Sequence, residues 1–168
     1  MAIDASQLKK LIDHELAHLS DARVKTHIQG LLVEPKPTLR DWDYGKPNEK
    51  YLCWQVLNDN ESNFGISYCE SGFGPRNPWG LVWLESNEDK AISMGMDSSW
   101  YPTFLDAYFE SSAAALPIWR VFKTSPLRAR EPITDEGSWD DTWQRVMEYR
   151  KGDPAARYDC DHSISYRR

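Results

Sequence analysis

The sequence predicts one α+β domain, in which an antiparallel sheet of four or more strands packs against an N-terminal helix and two further helices. Two observations predict this fold class. Apolar residues recur at helical spacing in residues 5–20, 103–114 and 138–150, each time behind a capping residue. Between residues 38 and 123, short apolar stretches are separated by polar or Gly- and Pro-rich loops, which is typical of antiparallel strands.

The N-terminal segment is predicted to form an amphipathic helix. Asp4 can cap it, and Gln7 stands at the third helical position, as in a capping box. Five apolar residues form one stripe along it: Leu8, Leu11, Ile12, Leu16 and Leu19. A break is expected near residues 20–21, after which a second helical pattern runs on until Gly30, Pro35 and Pro37 end it.

Four strands are predicted in the middle of the chain. Residues 51–57 and 64–69 flank a polar loop, so they should form a hairpin. In the second of these strands Phe64, Ile66 and Tyr68 alternate with small residues, so one face should be buried. Residues 79–85 and 91–96 follow as the third and fourth strands.

The C-terminal part should contain two more helices. One begins at Thr103, after Pro102, and the other begins at Ser138. A further strand is predicted over 118–122. The apolar stripe of the last helix consists of Trp139, Trp143, Val146 and Met147. Residues 152–168 are expected to be a loosely structured tail of the same domain, which spans 1–168.

Charge is concentrated in the middle of this 168-residue chain. The formal net charge is −6, and residues 58–110 hold nine acidic residues against Arg76 and Lys90. Such a segment is either a solvated acidic surface or a docking face for a cationic protein. Nucleic acid is not an expected partner, because the sequence shows no basic stripe.

Hydropathy and cysteine usage indicate a cytoplasmic protein. No run of about 18 apolar residues is present, so no membrane helix is expected. Charged residues interrupt every apolar stretch near the N-terminus, so no secretory signal is expected. Cys53, Cys69 and Cys160 are odd in number and widely spaced, as expected for reduced thiols. The oligomeric state is left open.

One motif has the form of a catalytic zinc site. His14-Glu15-x-x-His18 matches the pattern in which two histidines one helical turn apart bind Zn²⁺ and the glutamate acts as general base. However, the apolar stripe places both histidines toward the polar side of the helix, and no third ligand stands at a familiar spacing. Two surface histidines and no cofactor are therefore the preferred interpretation. A small zinc-dependent hydrolase is the alternative.

Aromatic residues are the remaining candidates for function. The middle of the chain carries Trp42, Tyr44, Trp54, Phe73, Trp79, Trp83 and Trp100. Most should be core residues, but Trp79 and Trp100 border loops, where aromatic rings beside carboxylates can form an interface. The predicted partner-binding residues are Asp59, Glu61, Glu70, Phe73, Trp79, Glu88, Asp89, Asp97 and Trp100.

A series of short motifs between residues 40 and 110 resembles the immunity proteins of bacterial polymorphic and contact-dependent toxin systems. These motifs are Trp42-Asp43-Tyr44-Gly45, Cys53-Trp54-Gln55-Val56, Ile66-Ser67-Tyr68-Cys69, Gly72-Phe73-Gly74-Pro75, Pro78-Trp79-Gly80-Leu81 and Met94-Gly95-Met96-Asp97-Ser98-Ser99-Trp100. The resemblance implies a cytoplasmic, non-enzymatic protein that binds and neutralises one cognate toxin domain.

Overall fold

The computed structural model describes residues 3–41, 46–70, 76–84, 99–116, 118–125, 128–134 and 136–161. The chain divides into two compact units, Met1–Ala113 and Ala114–Arg168, and each is described by itself below. The α+β class predicted from the sequence is confirmed. No helix in these described ranges is long and apolar enough to cross a membrane.

Two capped helices open the first unit. Helix α1 (Ala5–Ala17) begins as predicted, because the Asp4 side chain accepts from the Gln7 amide and the Gln7 side chain accepts from the Asp4 amide. Its buried residues are Leu8, Ile12 and Leu16, one helical turn apart. Helix α2 (Ala22–Leu31) follows the expected break. Asp21 caps it, and Val24 and Ile28 are buried.

A five-stranded antiparallel sheet forms the rest of the first unit's framework. The strands are β1 (Leu32–Arg40), β2 (Tyr51–Asp59), β3 (Phe64–Tyr68), β4 (Trp79–Trp83) and β5 (Trp100–Tyr101), and they pair in that order. The predicted hairpin of residues 51–57 and 64–69 is confirmed as β2–β3. The predicted strand over 91–96 lies outside the described residues.

The first strand is absent from the sequence prediction, which ended a helix at Pro35 and Pro37 and placed no strand there. The structure instead pairs β1 with β2, and with no other described strand. An edge strand tolerates proline because one row of its backbone groups has no ladder partner. The register also shifts between Leu32 and Lys36, so Pro35 lies at an irregularity that relaxes the pairing.

Asparagine closes the β2–β3 hairpin. Asn63 has φ 55°, in the left-handed region that asparagine tolerates better than most residues. Its carbonyl oxygen accepts from the Leu84 amide at 3.2 Å. The turn is thereby tied to the chain just beyond β4.

Helix α3 (Phe104–Phe109) packs on this sheet. Thr103 caps it as predicted, by accepting from the Asp106 amide at 3.0 Å. Phe104 and Tyr108 are fully buried, and the Phe104 ring meets Trp79 of β4 edge to face at 5.5 Å. The helix is shorter than the predicted 103–114, and a 3₁₀ turn over Ser112–Ala114 follows it.

The second unit is a three-stranded antiparallel sheet with one helix. Strands β6 (Arg120–Ser125), β7 (Arg128–Pro132) and β8 (Arg157–Asp161) pair in the order β7-β6-β8. Helix α4 (Trp139–Gly152) begins after Ser138, whose side chain accepts from the Asp141 amide. Val121, Val146 and Tyr158 form its core. Strand β8 falls in the segment expected from the sequence to be a loose tail.

The buried face of α4 is not the whole stripe predicted from the sequence. Val146 is fully buried, and Thr142 is buried beside it. Trp139, Trp143 and Met147 lie on the flank of that face and are 44%, 44% and 43% exposed. Helical periodicity identified which residues share a side, but a narrow three-stranded sheet covers only part of that side.

Candidate functional site

The two tryptophans among the predicted partner-binding residues, Trp79 and Trp100, are core residues. Trp79 is 3% exposed, and its ring makes edge-to-face contacts with Tyr68 at 5.0 Å and with Phe104 at 5.5 Å. Trp100 is 5% exposed and clusters with Cys53 and Cys69. A ring that is fully enclosed cannot insert into a partner's surface, so neither residue presents an anchor in this conformation.

The predicted acidic residues have different environments. Asp59 is half-buried and organises its own turn, where its carboxylate accepts from the Ser62 hydroxyl and from the Glu61 and Ser62 amides. Glu61 is exposed beside it. Glu70 is exposed and accepts from the Ile3 amide at 3.2 Å. Phe73, Glu88, Asp89 and Asp97 lie outside the described residues.

Among the described tryptophans of the first unit, the exposed one is Trp83, at the end of β4. Its side chain is 60% exposed, and a cleft of about 350 Å³ opens beside it. The apolar part of the cleft consists of Phe64, Leu81, Val82 and Trp83. Phe64 and Trp83 are direct cross-strand neighbours, so their rings stand on the same face of the sheet.

Serines and one carboxylate complete the wall of this cleft. The serines are Ser62, Ser99, Ser111 and Ser112. Among the described residues, Glu110 is the only charged side chain that lines the cleft. Glu110 is exposed at the C-terminal end of α3, where its own amide bonds to the Asp106 carbonyl. Many protein–protein interfaces have an apolar centre with a polar rim of this kind.

A buried polar network holds the strand that carries Trp83. Arg40 is 3% exposed and donates from Nη1 to the Trp83 carbonyl at 3.0 Å and from Nη2 to Gln55 Oε1 at 2.8 Å. Gln55 Oε1 also accepts from the Ser67 hydroxyl at 2.8 Å, and its Nε2 donates to the Leu57 carbonyl at 2.7 Å. Burial lowers the pKa of the Arg40 guanidinium from its ordinary value.

This network borders a second, more open cavity of about 680 Å³ along β1 and β2. Arg40 and Gln55 form part of its floor, and Glu34 and Lys36 contribute charges of both signs. Nη1 and Nη2 of Arg40 and the side-chain amide of Gln55 bond to each other, to backbone carbonyls or to Ser67, so both residues serve the fold. The Trp83 cleft is therefore the better candidate site.

Two of the cysteines belong to the core of the first unit. Cys53 and Cys69 are both fully buried, and neither is in a disulfide. A hydrogen bond with Cys69, together with burial, raises the pKa of the Cys53 thiol. The thiolate is the reactive species, so this environment disfavours nucleophilic chemistry at Cys53.

The zinc-like motif has a structural explanation. Glu15, which would be the general base, instead accepts from the Phe104 amide at 3.2 Å and from the Leu105 amide at 2.9 Å. It thus satisfies the first amides of α3, which have no partner within their own helix. His14 and His18 are exposed, and His18 Nδ1 contacts the His14 carbonyl at 2.8 Å. In the described part of the chain, no three His, Cys, Asp or Glu side chains are grouped as metal ligands.

Replacing Glu15 by alanine is expected to lower the free energy of unfolding by about 2 kcal/mol, because two α3 amides lose a charged acceptor. Chemical denaturation measures this difference. Asp13→Ala, an exposed change on the same helix, is the control and should alter stability by less than about 0.5 kcal/mol. If Glu15→Ala were as stable as the parent but lost a zinc ion that the parent binds, the metal-site interpretation would be restored.

We compared this chain with protein-family models, with curated proteins and with solved structures, and none of the three comparisons gave a match.

Proposed function

We propose that this chain is a non-enzymatic binding protein of the immunity type, which docks a cationic toxin domain through the Trp83 cleft. The observation that carries the proposal is the position of this cleft. It combines the exposed Trp83 ring with the Glu110 carboxylate, and seven of its nine lining residues belong to the acidic segment 58–110. The motifs at residues 40–110 that resemble immunity proteins include parts of β3 and β4, the strands that supply the apolar residues of the cleft.

The cleft suits a lysine or arginine side chain of the partner. The aliphatic stem of such a residue can pack on Phe64 and Trp83, while its charged head approaches Glu110. A cation placed over an indole ring adds attraction of about 0.5–2 kcal/mol. The serine hydroxyls around the rim can accept the remaining hydrogen bonds of the head group.

The site is also held in place before binding. Arg40 bonds the Trp83 carbonyl, and the Asp59 turn bonds Ser62 in the cleft wall. Preorganisation of an anchor reduces the entropy lost on association. The excess negative charge of residues 58–110 should add attraction at longer range, which raises the association rate at low salt.

Trp83→Ala is expected to weaken binding by about 2 kcal/mol, roughly thirtyfold, mainly through faster dissociation. The Glu110→Lys variant should instead slow association at low salt. Both are measured by surface-binding kinetics at two salt concentrations against the protein encoded by the adjacent reading frame. Because Trp83 is 60% exposed, its replacement should cost little stability.

Two matched variants control this experiment. Leu52→Ala removes another exposed apolar side chain from the first unit, and Glu148→Lys reverses an exposed carboxylate in the second. Neither should change the kinetics. If the adjacent protein does not bind, the immunity function is wrong. If it binds without salt dependence and neither Trp83→Ala nor Glu110→Lys has an effect, the docking face is elsewhere.

A further inference from the structure

Helix α4 carries an exposed aromatic face. Trp139, Trp143 and Met147 are each more than two fifths exposed, while Thr142 and Val146 on the neighbouring side of the helix are buried. Large apolar side chains grouped on a surface in this way are typical of an interaction site.

The rings on this face are ordered against one another. Trp119 and Trp139 have centroids 4.3 Å apart, and Trp139 stacks on Trp143 at 5.7 Å. The Arg150 guanidinium lies 5.9 Å from the Trp143 ring centroid, which places Arg150 on the same side. Residues three and four apart share one side of a helix, so Trp139, Trp143, Met147 and Arg150 form one surface, named here the α4 face.

The two ends of helix α4 carry opposite charges. Asp140 and Asp141 stand in the first turn, and Arg150 and Lys151 stand in the last. Asp141 is engaged by the Ser138 hydroxyl at 2.8 Å. Asp140 and Lys151 border the α4 face, and neither forms an ion pair with another described residue.

We propose that the α4 face is the contact between two copies of this chain, with the two α4 helices antiparallel about a twofold axis near Arg145. In such an isologous contact, each residue meets the one equally far beyond the axis. Asp140 then faces Arg150 of the second copy, Trp143 faces Met147, and Trp139 faces Lys151.

In this antiparallel register, each of the side chains named above meets a complementary side chain of the second copy. Opposite charges meet at both ends, a thioether meets an indole ring in the middle, and an ammonium group lies against a tryptophan. A parallel arrangement would bring Asp140 against Asp140 and Arg150 against Arg150. An unrelated partner would need to supply the complementary order of charges, whereas a second copy has it by symmetry.

The contact is small. Helix α4 has 14 residues, and a single helix from each copy buries less than the roughly 1,200 Å² that marks the lower end of standard interfaces. The dimer should therefore dissociate on dilution. The dimer contact involves no residue of the Trp83 cleft. A test of the dimer is therefore independent of a test of the proposed function.

Sedimentation equilibrium of the full chain over a range of concentrations tests the proposal. The average mass should rise from 19.5 kDa toward twice that value. Asp140→Arg, Arg150→Asp and Trp143→Ala should each weaken association at least tenfold. Combining Asp140→Arg with Arg150→Asp should restore association, because an acidic residue at one position again faces a basic residue at the other. Glu148→Arg, on the opposite side of α4, should have no effect.

Circular dichroism of each variant establishes that α4 is still folded. A mass that stays at the monomer value at every concentration overturns the proposal. A dimer that the three single variants leave unchanged shows that copies associate through another surface. Failure of the double charge exchange to restore a dimer, with α4 folded, excludes the antiparallel register.

Discussion

Replacing Gln55 by leucine should lower the free energy of unfolding by about 3–5 kcal/mol, the scale for removing one partner of a buried charge. Gln55 is the centre of the buried network of the first unit. It accepts from Arg40 and Ser67, and it donates to the Leu57 carbonyl and, at 3.3 Å, to the Ile66 carbonyl. Leucine has a similar volume but makes none of these bonds, so the buried guanidinium loses one of its acceptors.

Urea denaturation monitored by tryptophan fluorescence measures the difference in free energy of unfolding between Gln55→Leu and the parent protein. Gln29→Leu, an exposed glutamine in α2, is the matched control and should change stability by less than about 0.5 kcal/mol. Adding Arg40→Met to Gln55→Leu should recover part of the loss, because the buried charge is then removed together with its acceptor. If Gln55→Leu alone is as stable as the parent, the network does not stabilise the sheet.

Replacing Gly65 by alanine should destabilise the protein by about 3 kcal/mol or more, the upper range for overpacking a core. A Cβ atom at this position would overlap Nε2 of Gln55 and the carbonyl oxygen of Leu57. The glutamine could move only by abandoning its hydrogen bonds. The carbonyl belongs to the β2 backbone, which is paired with β3 next to Gly65.

Gly30 provides the control for this substitution. Nothing lies within 4 Å of a Cβ built there, and the residue is exposed in α2. Gly30→Ala should therefore be neutral or stabilising by up to about 1 kcal/mol, because alanine loses less backbone entropy in a helix. The two variants are compared by the same urea denaturation. Equal stability of Gly65→Ala and the parent would mean that β2 and β3 are not packed as closely as described.

Both substitutions also bear on the candidate site. Arg40 links Gln55 to the Trp83 carbonyl, so disruption of the network should loosen the strand that presents the Trp83 ring. The side chains of Trp83 and Glu110, by contrast, are exposed and take no part in the network. Loss of binding can then be separated from loss of fold.

Local interactions could be predicted from the sequence. The caps at Asp4, Thr103 and Ser138 were located correctly, because a capping side chain bonds an amide two or three residues away. The β2–β3 hairpin was located because its turn and its alternating strand are contiguous. In each case the residues that make the stabilising contacts are also neighbours in the chain.

Two features of the fold depend on partners that are distant in the chain. Pro35 and Pro37 normally argue against a strand, and β1 forms only because it takes the edge position beside β2. Glu15 belongs to a motif that matches a zinc site, but its partners, the amides of Phe104 and Leu105, lie 89 and 90 residues away. No local pattern contains that information.

The tryptophans of the sheet also show what the sequence predicts and what only the tertiary structure decides. The sequence by itself determined that the middle of the chain would combine a sheet rich in indole rings with an excess of acidic residues, since composition, charge and strand periodicity are properties of contiguous residues. Trp79 and Trp83 share one strand and one face of it, yet Trp79 is 3% exposed and Trp83 is 60% exposed. Only the tertiary structure decided this, because α3 packs its Phe104 ring against Trp79, whereas the ring of Trp83 borders an open cleft.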